Sequence, residues 1–171
     1  MRRQAAVFVS VPAEPLVGDF RLRHQPRAVT RGLPPHITVL PPFTLDSTAD
    51  ETMASHLRTH FAAVPGFAGE LVRVDAFARH VWLAPEPHDR FVALLSETRL
   101  RFPDLAGGDD REPVPHLTIA EIGKGESTRR VVQLAEEEIA PRLPFSFELR
   151  DVGLFEARSD GWHELQRFEL G

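Results

Sequence analysis

Two short segments of this 171-residue chain repeat one pattern of residue types. Residues 35–39 and 115–119 each consist of a proline, a histidine, an aliphatic residue, a threonine and a second aliphatic residue. A bare His-x-Ser/Thr pattern is weak evidence, because about one occurrence is expected by chance in a chain of this composition. The added proline and the aliphatic flanks reduce the chance of finding both segments to about one in ten thousand. The pair therefore indicates a shared role.

The residue types in these segments suit acid–base chemistry at phosphorus. Alternate residues of a strand point to the same side, so each histidine shares a face with the threonine two positions later. A neutral imidazole can accept a proton from an attacking hydroxyl, while a protonated one donates a proton to the leaving oxygen. We therefore interpret His36 and His116 as the catalytic pair. Thr38 and Thr118 would bind the substrate by donating hydrogen bonds to phosphate oxygens, and the reaction requires no metal ion or cofactor.

Each of these assignments has a plainer alternative. A histidine on an apolar strand is often an ordinary packed residue, and threonine is a common strand former. The symmetric repetition favours the functional interpretation. If the two halves of the chain are related by a pseudo-twofold axis, the two motif strands lie side by side and present both pairs to one cleft.

The elements around the motifs predict an α+β fold. Strands are expected at 5–11, 36–40, 67–77, 80–84, 116–122, 144–156 and 162–170, and helices at 14–24, 46–63, 87–102 and 127–139. Asp46, Ser47 and Thr48 are candidate caps of the second helix, Ser127 is the cap of the last, and 25–35 is expected to be a loop. The order suggests two strand–helix–hairpin units, about 80 residues apart, that pack as two lobes of one domain spanning 1–171.

Composition excludes several classes of protein. With 42% hydrophobic and 26% charged residues the chain is typical of one globular domain, and the absence of cysteine excludes a disulfide scaffold or a thiolate metal site. A net charge of −5 argues against broad capture of nucleic acid, including duplex DNA. No apolar run is long enough to span a bilayer, and no secretory signal follows the N-terminal arginines. We expect a cytoplasmic protein with no membrane partner, monomeric by default.

The chain also resembles a known family. Paired His-x-Thr-aliphatic motifs about 80 residues apart are similar to those of the two-histidine (2H) phosphoesterase superfamily, which includes the 2′-5′ RNA ligase-like (LigT-like) proteins. Phe43 after the first motif, and Trp162 with the closing segment 168–171, add to the resemblance. The resemblance implies two pseudo-twofold-related lobes, each with an antiparallel sheet and helices, around a central cleft. His36 and His116 match the family's catalytic histidines, and the two motif threonines match its phosphate-binding hydroxyls.

The implied activity is the opening or joining of 2′,3′-cyclic or 2′-5′ phosphodiester linkages in RNA ends or small cyclic nucleotides. The expected partner is a nucleotide or RNA terminus that carries a cyclic phosphate. One departure from the family bears on the substrate, because many relatives carry a basic residue just after the second motif and this chain has Ala120-Glu121. A less positive pocket would favour a small substrate over a long RNA.

Other candidate features leave alternatives open. His56 and His60 are four residues apart on a predicted helix and could bind a metal, although a solvated face is the plainer interpretation. Trp82 and Trp162 could stack on a base or pack in the core, and residues 105–112 form either a lid or an ordinary loop. Two other functions compete: a binding module that keeps the phosphate pocket without turnover, and an esterase with a different acid–base pair. The absence of a Gly-x-Ser-x-Gly elbow weakens the esterase.

Overall fold

The computed structural model describes residues 3–45 and 50–171, which form eight strands and five α-helices. The strands are β1 (Arg3–Ser10), β2 (His36–Leu45), β3 (Phe67–Ala76), β4 (His80–Glu86), β5 (Leu117–Glu121), β6 (Phe145–Leu149), β7 (Asp151–Arg158) and β8 (Gly161–Glu169). The helices are α1 (Glu14–His24), α2 (Pro26–Thr30), α3 (Asp50–Ala62), α4 (His88–Arg101) and α5 (Thr128–Glu138), with 3-10 turns at Pro103–Leu105 and Ala140–Arg142. Within the described ranges, no helix has the length and apolar character needed to cross a membrane.

All eight strands join one antiparallel sheet in the order β6-β3-β4-β5-β2-β1-β7-β8. The predicted α+β class is confirmed. The two motif strands, β2 and β5, are neighbours at the middle of the sheet, with three further strands beyond each of them. The predicted side-by-side arrangement of the motif strands is therefore confirmed as well.

The two strand–helix–hairpin units of the sequence do not form separate sheets. The β3–β4 hairpin, which follows the first motif, pairs with β5 of the second motif, and the β7–β8 hairpin joins β1, the partner of β2. The repeated unit is instead a strand, a helix and a motif strand: β1–α1–β2 and β4–α4–β5. Alternating hydrophobicity identifies the buried face of a strand but not the strand with which it pairs.

Three predicted elements have different bounds. Residues 25–35 contain α2, which begins at Pro26, a residue that suits the first helical position because its missing N–H has no partner there. The strand predicted over 144–156 is divided at Arg150 into β6 and β7, which pair with β3 and β1 respectively. The strand predicted to end at residue 40 continues to Leu45.

The prolines that were expected to end the first motif strand lie in a bulge instead. Leu40 pairs with Val7 and Phe43 pairs with Ala5, so Pro41 and Pro42 together oppose a single residue of β1. A bulge releases a strand residue from the ladder, and a proline without an N–H is tolerated at such a point. β2 therefore passes both prolines without ending.

The predicted cap of the last helix is confirmed. Ser127 caps α5 as predicted, its hydroxyl accepting a hydrogen bond from the Arg130 backbone N–H at 3.3 Å. The candidate caps Asp46, Ser47 and Thr48 lie outside the described residues.

The helices cover one face of the sheet and fix the motif strands from behind. Ile37, Val39, Leu117 and Ile119 are fully buried, as predicted. α1 packs against β5, and α4 packs against β2, so each motif strand is covered by the helix of the opposite repeat. Burial of one such aliphatic side chain contributes about 1.5–3 kcal/mol. The opposite face of the motif strands carries the histidines and threonines.

Candidate active site

The two motif strands meet at a very short seam. Of the described residues, Ile37 and Leu117 form the one paired position between β2 and β5. In this antiparallel register position 39 faces Pro115, and position 119 faces Pro35. Neither proline has an N–H, so neither can extend the ladder. The motif prolines thus restrict the seam to a few residues.

The seam places the four predicted site residues at the corners of one square. Since Ile37 faces Leu117, His36 faces Thr118, and Thr38 faces His116. Directly opposite residues have Cβ atoms about 4.5–5.5 Å apart, and diagonal ones lie at about 7–8 Å. The histidines occupy diagonal corners, a separation that leaves space for one phosphate between their rings.

Both histidines are held in the same tautomer by the same local hydrogen bond. The Nδ1–H of His36 donates to the Pro34 carbonyl at 2.8 Å, and the Nδ1–H of His116 donates to the Val114 carbonyl at 2.7 Å. A carbonyl oxygen can only accept, so the proton of each neutral ring lies on Nδ1. Nε2 of each ring keeps its lone pair for a substrate.

The threonine hydroxyls are also available to a substrate. Among the described residues, neither the Thr38 nor the Thr118 hydroxyl forms a side-chain hydrogen bond, and both side chains are half-buried. Two hydroxyl donors and two imidazole nitrogens therefore lie on one face of the sheet with no hydrogen-bond partner in the described part of the chain. That set of groups can bind a tetrahedral anion and move protons to and from its oxygens.

Aromatic rings support both histidines. Phe8 pairs with Thr38 across β1 and β2, and its ring lies 4.1 Å from the His36 ring, centroid to centroid. Trp82 pairs with Thr118 across β4 and β5, and its ring lies 5.8 Å from the His116 ring. The two aromatics thus occupy equivalent places in the two repeats.

Sequence reasoning missed Phe8. It precedes its histidine by 28 residues, whereas Trp82 precedes its histidine by 34, so no common spacing marks the two rings. Trp82 is buried and Trp162 is half-buried, and both pack on protein rings: Trp82 on Phe77 at 4.9 Å, and Trp162 on Phe8 at 5.7 Å. Trp82 thus lies against His116, while Trp162 lies against Phe8, the ring that packs on His36.

Burial keeps both histidines neutral in the free protein. The pKa of His36 is lowered to about 4, chiefly by burial and to a smaller extent by the charges of Arg21 and His116. The pKa of His116 is also lowered, chiefly by burial and then by the charges of His80 and Arg99. In both cases the hydrogen bond to the backbone carbonyl acts in the opposite direction. A bound anion would raise both pKa values, because negative charge favours the imidazolium.

The remaining candidates lie away from this square. His56 is exposed, but His60 is half-buried and its Nε2 donates to the Thr98 hydroxyl at 2.9 Å, so the solvated-face interpretation is wrong for His60. The cause is that His60 also packs on Phe102. Across the described ranges, no three His, Cys, Asp or Glu side chains group together as metal ligands. Glu121 is exposed and pairs with His80. A register shift in β5 between Thr118 and Ala120 places Glu121 on the same side as Thr118, since His80 and Trp82 alternate along β4.

Comparison with known proteins identifies relatives of the whole chain. The sequence profile of the 2′-5′ RNA ligase superfamily matches residues 8–161. A predicted phosphoesterase of Halalkalibacterium halodurans is 25% identical over the whole of this chain and 98% of its own length. A second predicted phosphoesterase, from Bacillus pumilus, is 23% identical with the same coverage of both chains.

Solved structures share the fold. The crystal structure of E. coli LigT complexed with 3′-AMP has a TM-score of 0.68 at 17% identity and covers 99% of both chains. The crystal structure of a Thermus thermophilus protein has a TM-score of 0.63 at 16% identity and covers 99% of this chain and 98% of its own. At such identities the likeness establishes the fold.

Proposed function

Because the chain belongs to the 2′-5′ RNA ligase superfamily, we propose that it opens or joins 2′,3′-cyclic or 2′-5′ phosphodiester linkages. In this proposal the substrate is a cytoplasmic nucleotide or RNA terminus with a cyclic phosphate. E. coli LigT binds 3′-AMP in its crystal structure, a nucleotide of the kind that opening such a phosphate yields. One observation carries the proposal: two histidines stand diagonally across the seam beside two threonines, and among the residues at 3–45 and 50–171 nothing bonds to their Nε2 atoms or hydroxyls.

Hydrolysis of a 2′,3′-cyclic phosphate would proceed by in-line displacement. Nε2 of His36 accepts a proton from water as the water oxygen bonds to phosphorus. The opposite bond from phosphorus to the ribose oxygen breaks, and the imidazolium of His116 donates its Nε2 proton to that oxygen. The low pKa of His36 suits the proton acceptor, and the anionic substrate raises the pKa of His116 toward the protonated form that a donor needs. Joining would exchange the two roles.

The threonines would stabilise the charge on phosphorus. The Thr38 and Thr118 hydroxyls occupy the other two corners of the square, so they can donate hydrogen bonds to the two non-bridging oxygens. Those oxygens gain negative charge as the attacking oxygen arrives. The rigid strands behind the threonines hold the donors in place before the reaction begins.

Turnover in the presence of a chelator tests this proposal. The purified protein is incubated with 2′,3′-cyclic nucleotides in excess EDTA, and the formation of the 2′- or 3′-monophosphate is followed. We expect that EDTA does not reduce turnover. Ser159→Ala, a substitution in an exposed turn, is the control and is expected to keep full turnover. Tight binding of the nucleotide without turnover would contradict the proposal and support a binding module that has kept the fold.

A further inference from the structure

A cavity of about 470 Å³ lies on the His116 side of the square. Its walls come from α4, the turn after β3 and the loop before β5, and they comprise Phe77, Arg99, Asp109, Arg111, Glu112, Pro113, Val114 and His116. We call this space the His116-side cavity. It combines a histidine of the proposed pair, an arginine and an exposed aromatic ring.

Arg99 contributes a positive charge to this cavity. Its side chain is half-buried, and its Nε–H donates to the Val39 carbonyl at 3.4 Å, opposite Pro115 in the seam. Among the described residues no carboxylate forms an ion pair with it. Burial lowers the pKa of Arg99, yet a guanidinium remains protonated at neutral pH.

Asp109 is the carboxylate whose charge acts on Arg99, and it is already paired with Arg111. Asp109 accepts two hydrogen bonds from the Arg111 guanidinium, each at 2.9 Å, and this pairing lowers the pKa of Asp109 to about 2. Arg99 therefore retains positive charge directed at the seam, and that charge contributes to the lowered pKa of His116. A half-buried guanidinium with a weak carbonyl contact can form strong hydrogen bonds to an incoming phosphate.

Phe77 provides an apolar platform at the same cavity. It is 38% exposed, which is unusual for a large hydrophobic side chain in this protein. Its ring stands edge-on to the His116 ring at 5.0 Å and packs on Trp82 at 4.9 Å. An aromatic ring held by a second ring, yet open on one side, is suited to stacking with a nucleobase.

We propose that the His116-side cavity binds a nucleoside monophosphate. The Arg99 guanidinium donates hydrogen bonds to the phosphate, and the Phe77 ring stacks on the base. The proposal rests on the proposed function and deepens it, because it places the nucleoside on the His116 side of phosphorus and the attacking water on the His36 side. Arg99 also supplies, from α4, the positive charge that Ala120-Glu121 does not offer after the second motif.

Calorimetric titration separates the two contacts. Cytidine 3′-monophosphate, inorganic phosphate and cytidine are each titrated into the protein. Arg99→Gln is expected to weaken both phosphate-containing ligands about 10- to 100-fold and to leave cytidine unchanged. Arg99→Lys keeps a charge without the planar fork and is expected to weaken them by less. Arg101→Gln, an exposed arginine on the same helix, is the matched control and is expected to change nothing.

The base contact has its own pair of variants. Phe77→Ala is expected to weaken cytidine and the monophosphate about 5- to 100-fold while inorganic phosphate is unaffected. Leu165→Ala, at the same 38% exposure, is the control and is expected to leave all three affinities unchanged. Thermal melts confirm that each variant is folded.

The outcomes distinguish this proposal from the proposed function. If the wild-type protein turns over cyclic nucleotides but neither arginine substitution at position 99 weakens phosphate, the cavity proposal is overturned and the proposed function stands. If phosphate binds in an Arg99-dependent way without turnover of any cyclic nucleotide, the cavity proposal stands and the proposed function fails. A wild-type protein that binds none of the three ligands at millimolar concentration overturns the cavity proposal.

Discussion

At the scale of single residues, the site depends on two histidines that differ in their surroundings more than in their geometry. Both donate Nδ1–H to a carbonyl two residues earlier in the chain. His36, however, packs 4.1 Å from Phe8, and burial lowers its pKa to about 4, while His116 borders an open cavity. Local backbone geometry is symmetric, and the different environments are the basis of the different roles that the proposed mechanism gives the two rings.

The pH dependence of kcat/KM follows from these surroundings. His36 must be deprotonated to accept a proton, so activity is expected to rise with pH through an apparent pKa of about 4. His116 must be protonated to donate, so activity is expected to fall as pH rises through its pKa in the free protein, which burial holds below 6.5. Initial rates at low substrate concentration across pH 3.5–9, in buffers of constant ionic strength, measure this bell. A flat profile, or an alkaline limb above about pH 8, would contradict the assignment.

The grouping of four candidate residues on one face of the sheet is predictable from sequence. The repeated motif identifies His36, Thr38, His116 and Thr118, because alternation along a strand places each histidine and threonine on one face. Phe77 and Arg99 carry no such signal, since they come from a strand end and a helix that the fold brings to the cavity. Residues that a motif repeats can be predicted, and residues that only the packing of distant elements brings together cannot.

At the scale of elements, the seam between β2 and β5 requires both the motif prolines and the aliphatic residues behind them. The prolines limit the pairing to a few positions, and the aliphatic residues anchor the two strands to the helices. Element types were predictable from periodicity: α1, α4, α5 and the β3–β4 hairpin lie where it indicates. The partners of the strands were not predictable from periodicity. The bulge at Pro41-Pro42 and the division at Arg150 depend on pairing with β1 and β3, which periodicity does not show.

Truncation of an anchor behind the seam tests its contribution to stability. Leu117 is fully buried, so Leu117→Ala is expected to lower the free energy of unfolding by about 2–5 kcal/mol through lost burial and a cavity. Urea titration measures the change, and Leu100→Ala, at 81% exposure, is the matched control with an expected change within about 0.5 kcal/mol. Equal effects of the two substitutions would mean that the seam is not anchored from behind.

At the scale of the whole molecule, one side of the sheet is interrupted in sequence by the other. One side consists of β1, β2, β7 and β8, and the strands of the other side, β3 to β6, lie between them in sequence. Buried residues from both sides, such as Val7 and Leu83, belong to one hydrophobic core. Neither side can therefore complete its own packing while the other is unfolded.

Cooperative unfolding is the expected consequence. The two tryptophans report separate sides, since Trp82 lies on β4 and Trp162 lies on β8. In the single-tryptophan variants Trp162→Phe and Trp82→Phe, fluorescence and circular dichroism are each expected to give one urea transition with coincident midpoints within a variant. A fluorescence midpoint that departs from the circular dichroism midpoint in either variant would contradict a single cooperative domain.

The central claim, that two histidines serve one phosphorus, is tested most directly by a double-mutant cycle on kcat. His36→Ala and His116→Ala are each expected to lower kcat for a 2′,3′-cyclic nucleotide by about 10²–10⁴-fold. Because the two rings act as a unit, the double variant is expected to be little slower than the slower single variant. Full activity in either single variant, or losses that multiply in the double variant, would contradict the account.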